Sequence, residues 1–311
     1  MDAHYRRTLA SGVWLRRAVQ RSVDLEDFDV VHVTPHLAAA GLLSIPGRPK
    51  LSVALDATIR QSKASRRGIS SDEADLRHAP LRNIERRILD SAASVVCLSS
   101  WARDAVAVET SRTDGLVVVP PAVAPISAGS RDRGIGSAAS SKRVQIVFVG
   151  NAWERKGGPE LLAVHQRDLA DLADLHVCSA DAPIGSELRN VHWHGPVPRQ
   201  RLLEEVLPAM DVFAMPTHSD MSPWAVVEAL GAGLPVVTTN VGGIPEMVTH
   251  GVSGLLSEPG DVAALAVNLG SVVQDGSLRD RLAAGAQAAA LGRLSLGAMR
   301  ESMVSAWSSV C

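Results

Sequence analysis

Three segments in the second half of the chain hold residues whose types and spacing could act on a ligand. The first, at 150–158, reads GNAWERKGG. It follows a buried-type strand and leads into a helix, so it lies where a parallel α/β sheet offers its carboxyl ends to ligands. Arg155 and Lys156 are adjacent cations, while Gly157 and Gly158 let the backbone come close at a helix N-terminus. Cations beside such a terminus favour an anion such as a phosphate. The spacing matches neither a Walker loop nor a GxGxxG fingerprint, which argues against an ATPase or a dehydrogenase. The second segment, at 215–239, is MPTHSDMSPWAVVEALGAGLPVVTT, with Asp220 in a loop after a strand and Glu228 in the first turns of the next helix. Two carboxylates so placed can reach one ligand and accept from sugar hydroxyls. The third, VGGIPEMV at 241–248, brings a Gly242-Gly243 turn to the same sheet edge. Each segment also has a plain reading: a tight turn, or an acid satisfied by the helix dipole.

The elements that must position these residues alternate short β-branched runs with helical patterns, as parallel βα units do. Strands are expected at residues 28–33, 51–55, 94–98 and 116–119, and again at 144–149, 175–178, 191–194, 212–215 and 235–239. Helices are expected at 81–92, from Ser99-Ser100 onward as an N-capped start, and at 158–169, 201–207, 224–231, 261–273 and 278–290. An amphipathic helix with Tyr5, Leu9, Val13 and Leu15 among its apolar positions opens the chain. The Gly/Ser-rich run at 124–142 reads as a linker. The expected organisation is a domain at 1–140, a second at 141–300, and a C-terminal helix tail at 301–311.

Composition narrows the function classes. Of 311 residues, 46% are hydrophobic but only 3% aromatic, so real cores must be built from Ala, Val and Leu. No apolar run is long enough to span a membrane, and the first residues lack the apolar centre of a signal peptide. Cys97, Cys178 and Cys311 are odd in number and show no metal-ligand spacing, which fits a reducing cytoplasm. The net charge of −2 gives no sign of nucleic acid as a global partner. Charge is uneven, with 21 basic against 15 acidic residues through Arg143 (+6) and 10 against 18 beyond it (−8). Much of the basic excess falls between Arg60 and Arg87. This is ordinarily a solvated face, but it could also touch an anionic membrane surface on the cytoplasmic side.

Taken together, GNAWERKGG, the Asp220/Glu228 pair with ALGAGLPVV, and VGGIPE followed by GVSGLL resemble the C-terminal domain of family 4 retaining glycosyltransferases, in order and in spacing. The stretch WHGPVPRQRLLEEVLPAMDVFAMPT from Trp193 resembles the same family. FDVVHV, ERRILDSAASVVCLSSWARDAV and VVVPPAV resemble its N-terminal half more loosely. The resemblance implies an α/β protein of GT-B type: two doubly wound, Rossmann-like domains facing a cleft. It implies transfer of a sugar from a nucleoside-diphosphate donor to a hydroxyl of a glycan, lipid-linked or small-molecule acceptor, with retention. Glu228 would hold the ribose hydroxyls, Asp220 the donor sugar, and Lys156 with Arg155 the diphosphate. Gly150, Gly157, Gly242 and Gly243 would border the pocket. No metal and no cofactor beyond the donor is implied, and the donor half has no Asp-x-Asp dyad.

This chain departs from the family pattern at several positions. Asp220 replaces a glutamate, and Pro223, which has no N–H, stands where a glycine commonly offers one. Asn151 takes the place of an arginine, which Arg155 could replace, and Asp56 stands where relatives have a histidine. The usual opening strand and its Gly-rich loop have no counterpart, so a reduced N-terminal domain of at most five parallel strands is expected. Two other functions stay open: a catalytically impaired nucleotide-sugar-binding protein or fragment, and a GT-B-like sugar-nucleotide epimerase.

Overall fold

The computed structural model describes residues 3–22, 24–62, 71–126, 143–183 and 188–311. The chain divides into two compact units, Met1–Pro120 together with Met299–Cys311, and Pro121–Ala298. The division falls earlier than the Gly/Ser-rich run because Val123 already belongs to the second unit. It bridges to Ser295, and its N–H donates to the Leu294 carbonyl at 2.9 Å. Most of that run, 127–142, lies outside the described residues.

In the first unit four parallel strands, β1 (Val30–Val33), β2 (Lys50–Leu55), β3 (Ser94–Cys97) and β4 (Leu116–Val118), lie in the order β1-β2-β3-β4. Strand alternation sorts residues by size. Leu51, Val53 and Leu55 of β2 pack with Ile88 and Leu89 of the helix Ser71–Ser91 and Val106 of the helix Ser100–Thr110. The smaller Ala54 and Val96 face the other way, onto Met299, Met303 and Ala306. The helix Leu296–Ser308 therefore supplies a layer of this unit where the sequence suggests only a tail. Ser99 caps the helix Ser100–Thr110, accepting from Ala102 N–H at 3.1 Å. In the opening helix, Ala3–Ser22, Leu15 and Val19 pack on the core while Val13 is exposed, contrary to expectation. Gly12 sets the buried stripe, because a Cβ at its contact Gly41 would stand 1.9 Å from the Gly12 carbonyl oxygen. The side chains of Tyr5 and Leu9 lie outside the described residues.

The second unit has a six-stranded parallel sheet in the order β10-β9-β8-β5-β6-β7. Its strands are β5 (Val144–Val149), β6 (Ala173–Cys178), β7 (Val191–Trp193), β8 (Val212–Met215), β9 (Val236–Thr239) and β10 (Gly254–Ser257). The chain builds outward from β5 to β7, then returns to place β8 on the other side of β5. The β5/β8 boundary is thus the topological switch point, where such sheets bind ligands. Strand β10 was not expected. Its four residues are too short and too Gly-led to show a pattern, and Gly254 is needed because a Cβ there would stand 2.1 Å from the Val236 carbonyl. One outer face of β5, β6 and β7 is polar, with Gln145 paired to Asp174 and His176 to His192 in register.

Candidate functional site

The loop after β5 is shaped by its own residues and pinned by a neighbour. Gly157 has φ 75°, a left-handed conformation, and a Cβ there would stand 2.0 Å from the Pro216 carbonyl oxygen. Only glycine lets this loop close on the segment after β8. Asp181, beyond β6, accepts from the N–H groups of Ala152 at 2.7 Å and Trp153 at 3.2 Å. The Ser179 hydroxyl donates to it, and that bond first, aided by the backbone donors, holds the carboxyl of Asp181 below the usual range. Asn151 accepts from Ala180 N–H at 3.0 Å, so it serves as a loop brace. Trp153 is buried against the Gly158 backbone and meets Phe148 edge-on.

This bracing delivers two cations to one carboxylate. Lys156 Nζ lies 2.8 Å from Asp220 Oδ2, and Arg155 reaches the same oxygen at 3.4 Å while also donating to the Ser219 carbonyl. The Lys156 and Asp220 side chains are only 12% and 15% exposed, so their attraction is less screened than at an open surface. Asp220 Oδ1 accepts from Met221 N–H at 3.1 Å, which fixes the carboxylate on both sides. Gly150 leaves room for the lysine, since a Cβ there would stand 2.4 Å from Lys156 Cδ. From the turn after β9, Gly242 abuts the Asp220 backbone and Gly243 N–H donates to the Met221 carbonyl at 2.7 Å. Seven of the eight residues that the resemblance assigns to the donor site therefore lie at the carboxyl ends of β5, β8 and β9.

Glu228 is the exception in its contacts. It is buried in the helix Trp224–Gly231, which Pro223 opens with φ −70°. Its partner is Arg199, whose Nε donates to Oε1 at 2.8 Å. Nothing in the sequence points to Arg199 or to Asp181, because their partners lie 29 residues away and arrive by way of another strand.

Elsewhere the chemistry is limited. Burial pushes the Cys97 thiol up to about 12 and the Cys178 thiol up to about 11, so neither supplies a thiolate near neutral pH. Of the basic segment, Arg60, Arg82 and Arg86 line a cavity of about 250 Å³ together with Glu85 and Glu109. Lys63, Arg66, Arg67 and the side chain of Arg77 lie outside the described residues. Among the described residues no helix is long and apolar enough to cross a membrane.

Residues 143–275 match the family model described as glycosyl transferases group 1. A D-inositol 3-phosphate glycosyltransferase of Mycobacterium sp. (strain KMS) is 28% identical over 278 residues, covering 83% of this chain and 62% of that protein. The chain thus spans about six tenths of the length of that relative. The enzyme of the same name from Xylanimonas cellulosilytica is 42% identical over 96 residues, which cover 31% of this chain and 23% of that one. Sucrose-phosphate synthase from Thermosynechococcus elongatus superposes with TM-score 0.77 at 17% identity, covering 97% of this chain and 78% of that one. Anabaena HepE, solved in complex with UDP-glucose, superposes with TM-score 0.71 at 18% identity, covering 96% and 82%. These structures establish the fold class: an α/β chain of GT-B type with Rossmann-like domains.

Proposed function

Starting from a glycosyl transferases group 1 domain over residues 143–275, we propose that the chain moves a glycosyl group from a nucleoside-diphosphate sugar to an acceptor hydroxyl, with retention at the anomeric carbon. The observation that carries this reading is the convergence of Lys156 and Arg155 on Asp220 at the β5/β8 switch point. Two cations held in a partly buried place suit the chemistry of a departing diphosphate. As the bond from the anomeric carbon to the phosphate oxygen breaks, positive charge grows on the sugar and negative charge on the leaving group. Lys156 and Arg155 stabilise the second, and they are aligned before the reaction, so little reorganisation is needed. Asp220 orients both and contacts the donor sugar. Glu228 takes the ribose. The acceptor oxygen bonds to the anomeric carbon on the face the phosphate oxygen leaves, which is what retention means, and the hydroxyl proton passes to the departing diphosphate. HepE's complex with UDP-glucose and the inositol phosphate glycosyltransferases support this choice of donor and a small polar acceptor.

Calorimetry with UDP and GDP tests the donor site, using Lys156→Ala and Glu228→Ala. Each variant should lose about 1–3 kcal/mol of binding, the scale of a charged hydrogen bond. Unchanged affinity in both would remove the site. Mass-spectrometric screening of nucleotide sugars with and without acceptors tests the reaction. Chromatographic conversion of the free nucleotide sugar into an isomer of the same mass, without any acceptor and without hydrolysis, would instead mark an epimerase.

A further inference from the structure

Glu228 combines features that do not usually coexist at an ordinary helix position. It is only 6% exposed, and a lone carboxylate at that depth carries a large desolvation cost, so it must be paired. Its partner Arg199 is 68% exposed, so the pair joins a buried acid to a cation at the surface. Contact is made through one guanidinium nitrogen and one oxygen, Nε to Oε1 at 2.8 Å. Where an arginine is to satisfy a carboxylate fully, it commonly makes the two-point fork. Here Oε2 takes no hydrogen bond among the described residues, and it is not sealed from solvent. The two residues also come from different crossovers. Arg199 follows β7 and Glu228 follows β8, and these strands are separated in the sheet by β5 and β6. The pair exists only because the fold brings these segments together.

Resting on the donor-site reading above, we infer that Arg199 is a positioning residue that sets the preference for ribonucleotides. It holds Glu228 by Oε1 and so presents Oε2 to a ribose hydroxyl of the donor. An anchor on one oxygen keeps the side chain from rotating and leaves a single acceptor at a defined place. A hydroxyl that donates there gains a charge-assisted bond, whereas a deoxyribose leaves the acceptor unmatched.

The test is calorimetry on the full chain with UDP and GDP, and with the 2′- and 3′-deoxy analogues of whichever binds. The wild type should prefer the ribonucleotide over at least one deoxy analogue by about tenfold, the scale of one such bond. Arg199→Gln should weaken the ribonucleotide by about fivefold to tenfold and leave that deoxy analogue within about twofold, so the preference collapses. Arg199→Lys should recover part of it, with thermal melting of both variants near that of the wild type. The inference is overturned if Arg199→Gln keeps the ribo-to-deoxy ratio, if it tightens the ribonucleotide, or if the wild type shows no preference. A wild type that binds neither diphosphate overturns the donor-site reading itself, a result separate from binding with an unchanged ratio.

Discussion

Gly242 and Asp220 touch backbone to backbone: a Cβ on Gly242 would stand 2.1 Å from the Asp220 carbonyl oxygen. The turn after β9 is thereby seated against the loop that carries the acid, and Gly242, at φ 58°, takes a left-handed conformation to do so. Gly242→Ala must push these loops apart. It should cost about 1–2 kcal/mol in backbone strain, and loop displacement should weaken nucleoside-diphosphate binding by about tenfold or more. Gly251→Ala is the control. Its φ is 74°, so it should carry the same backbone strain, but nothing lies within 4 Å of its added Cβ, so affinity should hold. Calorimetry and melting curves on both variants check the contrast.

Asp220→Asn preserves shape and removes charge. Lys156 and Arg155 lose the anion that aligns them, yet a negative charge also disappears from beside the diphosphate. Diphosphate affinity should hold or rise, while kcat for transfer falls by about a hundredfold, as when a preorganised charged contact is removed. Steady-state kinetics with any active donor, set beside binding, separates the two effects. A parallel loss of both would show that Asp220 acts mainly in binding.

The polar face of the second sheet makes stability depend on pH. His176 stacks between His192 and His194, with ring centroids 4.7 and 5.2 Å away. Burial first, and the neighbouring imidazoles second, bring His176 down to about 4 from an ordinary 6.5. His194 is lowered too, by burial first and then by the charges of His192 and Arg201. Above the ordinary value both folded and unfolded chains are neutral here, and nothing is lost. As pH falls below it, the unfolded chain takes up protons that the folded one refuses, so stability drops until His176 itself titrates. Melting temperature should therefore fall between pH 7 and pH 5, and His176→Gln should flatten that slope. His32 and His165, also lowered by burial, should leave a residual slope in the variant.

In the first unit the sensitive point is Glu85. This buried carboxylate meets His36 Nε2 at 2.7 Å and accepts from Ile59 N–H at 3.0 and 3.1 Å through its two oxygens. Glu85→Ala strands a buried imidazole and a buried N–H and should cost about 3 kcal/mol or more. Glu85→Gln keeps an acceptor for Ile59 and should cost less. Denaturant titration followed by a probe in this unit gives the ranking, and equal losses for the two variants would count against it.

Much of this was legible from local pattern. β5 and β8 occupy the residues their β-branched runs indicate, and the helix Trp224–Gly231 and the Ser99 cap fall where the spacing puts them. Lys156, Asp220 and the Gly242-Gly243 turn could be assigned to one sheet edge because strand–loop–helix order alone puts loops after parallel strands on the same side. What local pattern cannot carry is which strands are neighbours. β5 lies beside β8 only after the chain has built β6 and β7 and returned, and that choice brings Lys156 within 2.8 Å of Asp220. The same packing gives Glu228 its Arg199, gives the Gly150 loop its Asp181, stacks three imidazoles on one face, and makes the helix Leu296–Ser308 a layer of the first unit. Periodicity records which face of an element is apolar. The partner that face or charge meets depends on burial summed over the whole sheet, and only the tertiary structure decides it.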